Sequence, residues 1–400
     1  MSQVRLKRVS RISGRIGWHG LSTSDYEEIG EFLVTGTEII NGQVAWNECH
    51  RVGTDIWERD PNIQLHLDDI LVTKDGSIGK IAHIDRLPGS ATLNSGIFRV
   101  VCGREKLIPK YLYWILHSSL FDRFVGLLGA GSTISHLYQR DFTDFEFPLP
   151  SLVTQSAVAD FLDTETARID AFLEKKQRMA ELLIERRQTL ITQVVTKGIP
   201  GAVAGGDGVS HTVRLKHHAS VTAGQSPPSD QVSDFDGLGL PFLQGNAEFG
   251  TFNPEAKYRC DSARKVCVRG AILLSVRAPV GALNVADQEY GIGRGLCAIQ
   301  AGKIDAEFLW WVVNASIDEL ASMAVGSTYD AVTTEEVGNI RIPYSDDKTQ
   351  RAIAGYLDTE TAKIDSLCTK ISTQIELLKE HRQALITAAV TGELDKPGAA

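Results

Sequence analysis

The 400-residue chain lacks long hydrophobic runs, cysteine motifs and an excess of basic residues. No apolar stretch approaches the ~20 residues that cross a bilayer, and the first residues lack the apolar core of a signal peptide. The six cysteines, at positions 49, 102, 260, 267, 297 and 368, form neither a Cys-x-x-Cys pair nor a zinc-type cluster. We therefore expect reduced thiols, no bound metal and a cytoplasmic location.

The charge balance is acidic, with a formal net charge of −9. Nucleic-acid-binding proteins usually carry a basic face, so this balance argues weakly against that class. Net charge does not locate charge, however, and five basic residues precede the first acidic one: Arg5, Lys7, Arg8, Arg11 and Arg15. Binding to DNA would have to use local patches of positive charge.

Motifs for catalysis are also absent. The sequence has no Gly-x-x-x-x-Gly-Lys-Ser/Thr, no Gly-x-Ser-x-Gly and no His-Glu-x-x-His. The segment Gly291–Gly295 resembles a phosphate loop but lacks the strand-to-helix context, and we interpret it as a turn. Asn253-Pro254 lacks the Asn/Asp-Pro-Pro-aromatic motif of amino-methyltransferases. The sequence therefore predicts no catalytic residue and no metal ligand.

One segment of the chain occurs twice: Gln155–Thr196 returns without a gap as Gln350–Thr391, 195 residues later. Both copies are rich in residues with high helix propensity, and apolar residues recur every seventh position, as in coiled coils. Lys176 interrupts this pattern where the second copy has Ile371. The residues predicted to pack along the helices are Leu162, Ile169, Phe172, Met179, Leu183, Leu190, Leu357, Ile364, Leu367, Ile371, Leu378 and Leu385.

Such helices would be roughly 50 Å long, and pairing with each other, in antiparallel orientation, is the simplest way to bury both apolar stripes. The segments before them also repeat loosely: Ile272–Gly281 resembles Ile70–Gly79, a strand followed by a tight turn. The predicted fold class is α+β, with two similar mixed α/β domains, each followed by a long helix, in a pseudo-two-fold repeat. The predicted boundaries are 1–150 (first domain), 151–197 (first helix), 198–208 (linker), 209–345 (second domain), 346–392 (second helix) and 393–400 (flexible tail).

This duplicated arrangement resembles the specificity subunit of type I restriction-modification enzymes. The resemblance rests on the helix start Leu-Asp-x-x-x-Ala-x-Ile-Asp at Leu162 and Leu357, and on segments similar to target-recognition domains. Those segments are Gly14–Leu21 with Ser24–Tyr26, Ile70–Gly79, Ala223–Pro228 and Leu240–Asn246. The likeness covers almost the whole chain.

The resemblance implies a non-catalytic, DNA-binding subunit. Each target-recognition domain would read one half of a bipartite, asymmetric DNA site, and the paired helices would set the gap between the halves. The helices would also dock two copies of an adenine methyltransferase subunit, and a restriction/translocase subunit would complete the assembly. S-adenosylmethionine, ATP and Mg are expected on those partner subunits, with no cofactor on this chain.

Candidate DNA contacts are polar residues on predicted loops, because Arg pairs with guanine and Gln or Asn with adenine in the major groove. In the first domain they are Lys74, Ser77, Lys80, Ser132, Thr133, Ser135, His136 and Arg140. In the second they are Gln225, Ser226, Gln244, Asn246, Arg277, Ser327, Thr328 and Tyr329. A single polar loop residue is more often simply solvated, so each assignment stands as a hypothesis.

Two other functions compete with this interpretation. The acidic charge suits a coiled-coil adaptor whose two α/β modules bind proteins and have no DNA specificity. A self-contained DNA methyltransferase is disfavoured by the missing catalytic tetrad and the missing glycine-rich cofactor loop. Salt-sensitive, sequence-selective DNA binding separates the specificity subunit from the adaptor.

Overall fold

The computed structural model describes residues 2–15, 21, 23–128, 136–201, 211–228, 231–234, 239–324 and 331–394. The chain divides into two compact units. The first unit comprises Met1–Gln177 and Ser372–Ala400, and the second comprises Arg178–Ile371. Each unit contains one mixed α/β module together with parts of both long helices.

The first module is built from short strands and helices that precede the first long helix. Its strands are β1 (Gln3–Arg5), β2 (Ser10–Gly14), β3 (Glu31–Val34), β4 (Ile39–Ile40), β5 (Gln43–Val44), β6 (His50–Val52), β7 (Ile70–Thr73), β8 (Ile81–His83), β9 (Ala91–Leu93), β10 (Ile97–Cys102) and β11 (Glu146–Pro148). Its helices are α1 (Thr54–Glu58), α2 (Pro109–Leu116), α3 (Ser119–Leu128) and α4 (Gln139–Thr143), and the long helix α5 (Leu152–Lys197) follows.

The second module repeats much of this order. Its strands are β12 (His211–Arg214), β13 (Ala219–Ala223), β14 (Val232–Asp234), β15 (Leu240–Leu243), β16 (Tyr258–Cys260), β17 (Val266–Cys267), β18 (Ile272–Ser275), β19 (Leu283–Val285), β20 (Tyr290–Ile292), β21 (Leu296–Ala301) and β22 (Arg341–Tyr344). Its helices are α6 (Ala306–Ala315), α7 (Ile317–Ala324) and α8 (Thr334–Asn339), and the long helix α9 (Asp347–Thr391) follows.

The central sheet has the same topology in both modules. The strand order is β2-β10-β7-β8 in the first and β13-β21-β18-β19 in the second. The register also matches, since Val100 pairs with Ile70 and Ile299 pairs with Ile272. Fully buried aliphatic runs such as Ile70–Thr73 explain this placement, because both faces of the strand are covered.

A second sheet differs between the modules. In the first it has the order β6-β3-β9, and in the second β14-β16-β15-β20-β17. Within these sheets β3 pairs with β9, and β15 with β20, in parallel, whereas the remaining named pairs are antiparallel. A β4–β5 hairpin belongs to the first module. The central scaffold is therefore shared, and the sheet built on it diverges.

The long helices pair in antiparallel orientation within each unit. In the first unit, Leu162 of α5 lies in one buried cluster with Ile386 and Val390 of α9. In the second unit, Ile191 and Val194 of α5 share a cluster with Leu357 of α9. The early part of one helix thus packs with the late part of the other in each unit, and the predicted fold class is confirmed.

The residues predicted to pack along the helices differ in burial. Leu162, Ile169, Leu357, Ile364 and Ile371 are buried. Leu183, Leu190, Leu378 and Leu385 are half-buried.

Phe172, Met179 and Leu367 were also predicted to pack, but their side chains are 57%, 45% and 44% exposed. Two helices present one seam to each other, and these three residues lie outside it. These three side chains therefore face solvent in this chain.

Candidate functional site

The same loop follows the central strand in both modules. In the first, the Thr73 hydroxyl donates to the Ser77 carbonyl and accepts from the Lys80 N–H. In the second, the Ser275 hydroxyl donates to the Pro279 carbonyl and accepts from the Ala282 N–H. A hydroxyl at the strand end thus fixes an equivalent turn in each module.

The residues after these hydroxyls occupy equivalent backbone positions. The Lys74 N–H donates to the Gly96 carbonyl, and the Val276 N–H donates to the Gly295 carbonyl. Asp75 then forms an isolated antiparallel bridge with His136, and Arg277 forms one with Ala331. Asp75 and Arg277 are therefore structural counterparts.

The side chains at these counterparts have opposite charge. In the first module, the Asp75 carboxylate contacts the His136 ring and lies 3.1 Å from the Lys74 ammonium. In the second module, Arg277 is exposed, and its neighbours at the equivalent positions, Val276 and Ala331, carry no charge. One scaffold therefore presents an acid flanked by bases in one module and a guanidinium in the other.

Arg277 lines a cleft of about 720 Å³ in the second module. Ser226 and Gln244, which the sequence also singled out, line the same cleft. Ser233, Asp234, Tyr258 and Arg294 complete its polar side. Among the residues that the structure describes, neither Arg277 nor Arg294 has an ion-pair partner, so both guanidinium groups are available to a ligand. The cleft combines two guanidinium groups with an amide, several hydroxyls and one carboxylate, so it can donate hydrogen bonds to a ligand with acceptor groups.

Close backbone packing holds Gln244 and Arg294 of this cleft near each other. The Gly293 N–H donates to the Leu243 carbonyl, and the Arg294 N–H donates to the Ser226 hydroxyl. A Cβ on Gly293 would lie 3.0 Å from the Gln244 Cα, so a larger residue would push the two strands apart. The sequence predicted only a turn at Gly291–Gly295, and Arg294 was not among the candidate DNA contacts. The signal in the sequence that could have identified Arg294 was its position between two glycines.

Other candidates of the first module have internal partners. Lys74 is buried, and the Lys80 ammonium donates to the Gly36 carbonyl at 3.0 Å. Ser77 is exposed at the turn, and Arg140 is exposed near the Tyr138 ring, 5.4 Å from its centroid. The structure thus leaves Ser77 and Arg140 accessible, whereas Lys74 and Lys80 are engaged within the module. Contact of any of them with DNA stays a prediction.

Some of the remaining candidates lie in the part of the chain that the structure describes, and others do not. Gln225 is exposed, and its backbone N–H donates to the Ile292 carbonyl. Asn246 is half-buried at the start of a short 3-10 turn. Six candidates lie outside the described residues: Ser132, Thr133, Ser135, Ser327, Thr328 and Tyr329. The same holds for most of Gly14–Leu21, for most of the linker and for the tail from residue 395 onward.

Matched hydrogen bonds attach each module to the long helices. The Trp114 indole N–H donates to Asp163 at 2.9 Å, and the Trp311 indole N–H donates to Asp358 at 3.0 Å. These bonds show that Asp163 and Asp358 of the repeated helices hold the modules in place.

Repeated glutamines add to this attachment. The Gln383 amide donates to the His117 carbonyl, and the Gln188 amide donates to the Asn314 carbonyl. Both glutamines belong to the repeat, and each reaches the end of a module helix. The repeated residues thus fix the position of the modules.

Exposed apolar residues recur at equivalent positions of the helices. Phe172 and Leu377 are exposed in the first unit, and Leu367 and Leu182 are exposed in the second. Phe172 and Leu367 are repeat partners, as are Leu182 and Leu377. Each unit therefore exposes apolar side chains at the same two repeat positions.

The structure contains no helix long and apolar enough to span a membrane within the part of the chain that it describes. In the same residues, no group of three or more His, Cys, Asp or Glu side chains is arranged to hold a metal ion.

Comparisons with known proteins identify relatives along most of the chain. A protein of Methanocaldococcus jannaschii, provisionally named the specificity subunit of the type I restriction enzyme MjaX, is 26% identical over 347 residues. The match covers 83% of this chain and 79% of that protein. A chain from a structural study of complex assembly and conformational transition in the type I R-M system is 25% identical, with a TM-score of 0.80 and 98% of both chains covered.

A further solved structure supports the fold. The HsdS subunit from Thermoanaerobacter tengcongensis is 24% identical, with a TM-score of 0.57, and the match covers 98% of this chain and 97% of that one. The sequence profile of the type I restriction modification DNA specificity domain matches residues 18–182 and 261–377, which is more than half of the chain. The chain therefore belongs to the type I restriction-modification DNA specificity family.

Proposed function

We propose that this chain is the non-catalytic, DNA sequence-recognition subunit of a type I restriction-modification system. Each module reads one half of a bipartite, asymmetric DNA site, and the paired helices set the gap between the halves. The observation that carries this proposal is the duplicated loop after β7 and β18, which has the same backbone but opposite charge at Asp75 and Arg277. Two readers of this kind distinguish two different sequences.

The side chains of the second cleft suit base recognition in the major groove. An arginine can donate two hydrogen bonds to guanine, and a glutamine can donate to and accept from adenine. Arg277, Arg294 and Gln244 line one cleft and supply these groups. In the first module, the Asp75 carboxylate offers an acceptor, the group that pairs with the cytosine amino group.

The helices are proposed to bind two copies of an adenine methyltransferase subunit, one for each unit. The equivalent apolar pairs Phe172 with Leu377, and Leu367 with Leu182, support one docking site in each unit. A restriction/translocase subunit completes the proposed assembly. S-adenosylmethionine, ATP and Mg are proposed to reside on these partners and not on this chain.

DNA binding by the complex of this chain with the methyltransferase tests the proposal. We expect a fixed split sequence to bind at least 10³-fold more tightly than unrelated DNA, with an affinity that falls steeply as salt rises. Scrambling the spacer between the half-sites should leave the affinity unchanged, whereas scrambling either half-site should abolish the preference. Equal binding to all DNAs would contradict sequence recognition and favour the adaptor alternative.

A further inference from the structure

A groove of about 650 Å³ lies in the second unit, away from the cleft that contains Arg277. It is bounded by α6, α9 and the loop that carries Phe252. The Phe252 ring is 53% exposed and packs edge-on against Trp310, with the ring centroids 5.5 Å apart. An exposed aromatic ring beside a groove indicates a surface that contacts another molecule.

The charge of this groove is negative. The carboxylates of Glu307, Asp358 and Asp365 line it, and Arg187 is its one basic side chain among the described residues. The Arg187 guanidinium already donates to Asp365 at 2.9 Å. Glu307 and Asp358 have no cationic partner within the described part of the chain, so these two negative charges are not balanced inside the groove.

The first unit contains a smaller groove at the equivalent place. Its lining includes Trp114, Asp163, Asp170 and Arg382, and its volume is about 200 Å³. Trp114 donates to Asp163 as Trp311 does to Asp358, and Arg382 pairs with Asp170 as Arg187 does with Asp365. The internal repeat therefore provides a direct comparison of the two grooves.

One difference between the grooves is the charge of a single helical residue. The second residue of α2 is Lys110, and the second residue of α6 is Glu307. The Lys110 ammonium lies 3.0 Å from the second carboxylate oxygen of Asp163. Glu307 cannot make the equivalent contact with Asp358. The first unit thus supplies internally a cation that the second unit lacks.

The other difference is the turn beside the groove. The His83 N–H donates to the Gly42 carbonyl, and the Val285 N–H donates to the Phe252 carbonyl, so Gly42 and Phe252 are counterparts. A Cβ on Gly42 would lie 2.1 Å from the Tyr113 hydroxyl oxygen, because the turn packs directly on that ring. The turn thus fills part of the first groove, whereas the Phe252 ring leaves the second groove larger.

We propose that the second groove binds a lysine or arginine side chain of the methyltransferase subunit that docks on this unit. This inference rests on the proposed function. The incoming cation takes the role that Lys110 has on Asp163, pairs with Asp358 and Glu307, and lies against the rings of Phe252 and Trp310. DNA is excluded as the occupant because its phosphates would face three carboxylates.

The two methyltransferase sites are therefore not equivalent. Substitutions that neutralise the second groove weaken one docked copy, and matched substitutions in the first groove do not. The test uses the full-length chain and the purified methyltransferase subunit of the same system. Native mass spectrometry gives the number of bound copies, and calorimetric titration gives the two affinities. Thermal unfolding of each variant confirms that it is folded.

Two substitutions probe the groove, and one matched substitution serves as the control. E307K supplies the missing cation internally, and D358N removes the charge while it keeps an acceptor for Trp311. We expect each to weaken one of two copies on the order of tenfold. D163N, the counterpart in the first unit, is expected to leave both affinities unchanged.

Wild-type affinities for both copies in E307K and D358N would overturn the inference and leave the proposed function intact. A wild-type chain that binds no methyltransferase would overturn the partner assignment, and the inference with it.

Discussion

The Arg382 guanidinium donates to both carboxylate oxygens of Asp170, at 2.8 and 3.2 Å. The repeat partners of these residues, Arg187 and Asp365, form the same pair in the second unit at 2.9 and 3.5 Å. In each pair a residue late in one long helix contacts a residue early in the other. The antiparallel pairing of the helices is thereby encoded twice, by the same residue types at the same repeat positions.

Substitution of the two cleft arginines should weaken recognition of one half-site. Arg277→Ala and Arg294→Ala each remove a guanidinium from the second cleft. If each pairs with a guanine, each loss costs about 1–3 kcal/mol of binding free energy and relaxes the preference at one base. Competition binding against single-base variants of both half-sites measures this effect.

The matched control for this prediction is Arg140→Ala, which removes an exposed arginine from the first module. It should not alter recognition of the second half-site. An equal loss of affinity across unrelated DNAs for Arg277→Ala would instead assign that residue to phosphate contact. The same competition with Gln244→Ala reports whether the amide in this cleft reads a base.

Removal of the buried glutamine at the start of each long helix should destabilise its unit. The Gln155 amide accepts from the Ile108 N–H and donates to the Lys106 and Pro150 carbonyls, and its side chain is fully buried. Gln155→Ala leaves these groups without partners, at a cost of about 2–4 kcal/mol. Urea unfolding should show a lower midpoint.

The repeat partner provides an independent check of this result. Gln350 accepts from the Asp305 N–H and donates to the Ser345 carbonyl, so Gln350→Ala should have a similar effect. The control is Ser156→Ala, on the exposed side of α5 next to Gln155, which should change the stability by no more than about 0.5 kcal/mol. Equal midpoints for Gln155→Ala and Ser156→Ala would show that the glutamine contacts are unimportant.

His117 should make the first unit sensitive to acid. Burial lowers the pKa of His117 from 6.5 to about 4, with a smaller contribution from Arg382. Between these two values the unfolded chain binds a proton that the folded chain does not, so stability falls as the pH drops from about 6.5 toward 4. His117 keeps some solvent contact, and we expect a loss on the order of 2 kcal/mol.

The second module supplies the substitution that tests this pH dependence. Asn314 occupies the equivalent position, and its amide donates to the Trp310 carbonyl as the His117 ring does to the Tyr113 carbonyl. His117→Asn should therefore keep the hydrogen bond and flatten the unfolding free energy between pH 4 and 6.5. Parallel pH profiles for the variant and the wild type would exclude His117 as the cause.

Longer helices should lengthen the gap in the recognised DNA. An insertion of four residues near Lys176 of α5 and near Ile371 of α9 adds about one helical turn to each. Both half-sites should stay the same while the number of unspecified base pairs between them increases. Methylation mapping of DNA from cells that express the variant gives the gap directly. An unchanged gap would reject the role of the helices as a spacer.

Sequence repetition predicted the scaffold because the repeated residues are those that make its contacts. Asp163, Gln188 and Gln383 belong to the repeat, and each bonds to a module in the structure. Strand β7 and its turn were also predictable, since a buried aliphatic run that ends at a glycine-rich turn has few other solutions. At these positions the structure that the local sequence pattern predicts is also the one that the tertiary contacts stabilise.

Other features of the helices and of the candidate site depended on long-range packing, which the sequence pattern does not encode. Heptad spacing could not show that Phe172 and Leu367 face away from the partner helix, because a pair of helices buries only one seam. Arg294 became a candidate only when its turn packed beside Ser226 and Gln244. The charge reversal between Asp75 and Arg277 likewise required the register of both modules.

The most direct test of the account is a map of adenine methylation in genomic DNA, with and without the gene for this chain. Long-read sequencing reports both the methylated bases and their context. We predict a split motif of two short, unlike half-sites around a fixed gap, which disappears when the gene is deleted. The same methylated motifs in both strains would contradict the claim that this chain selects the DNA sequence.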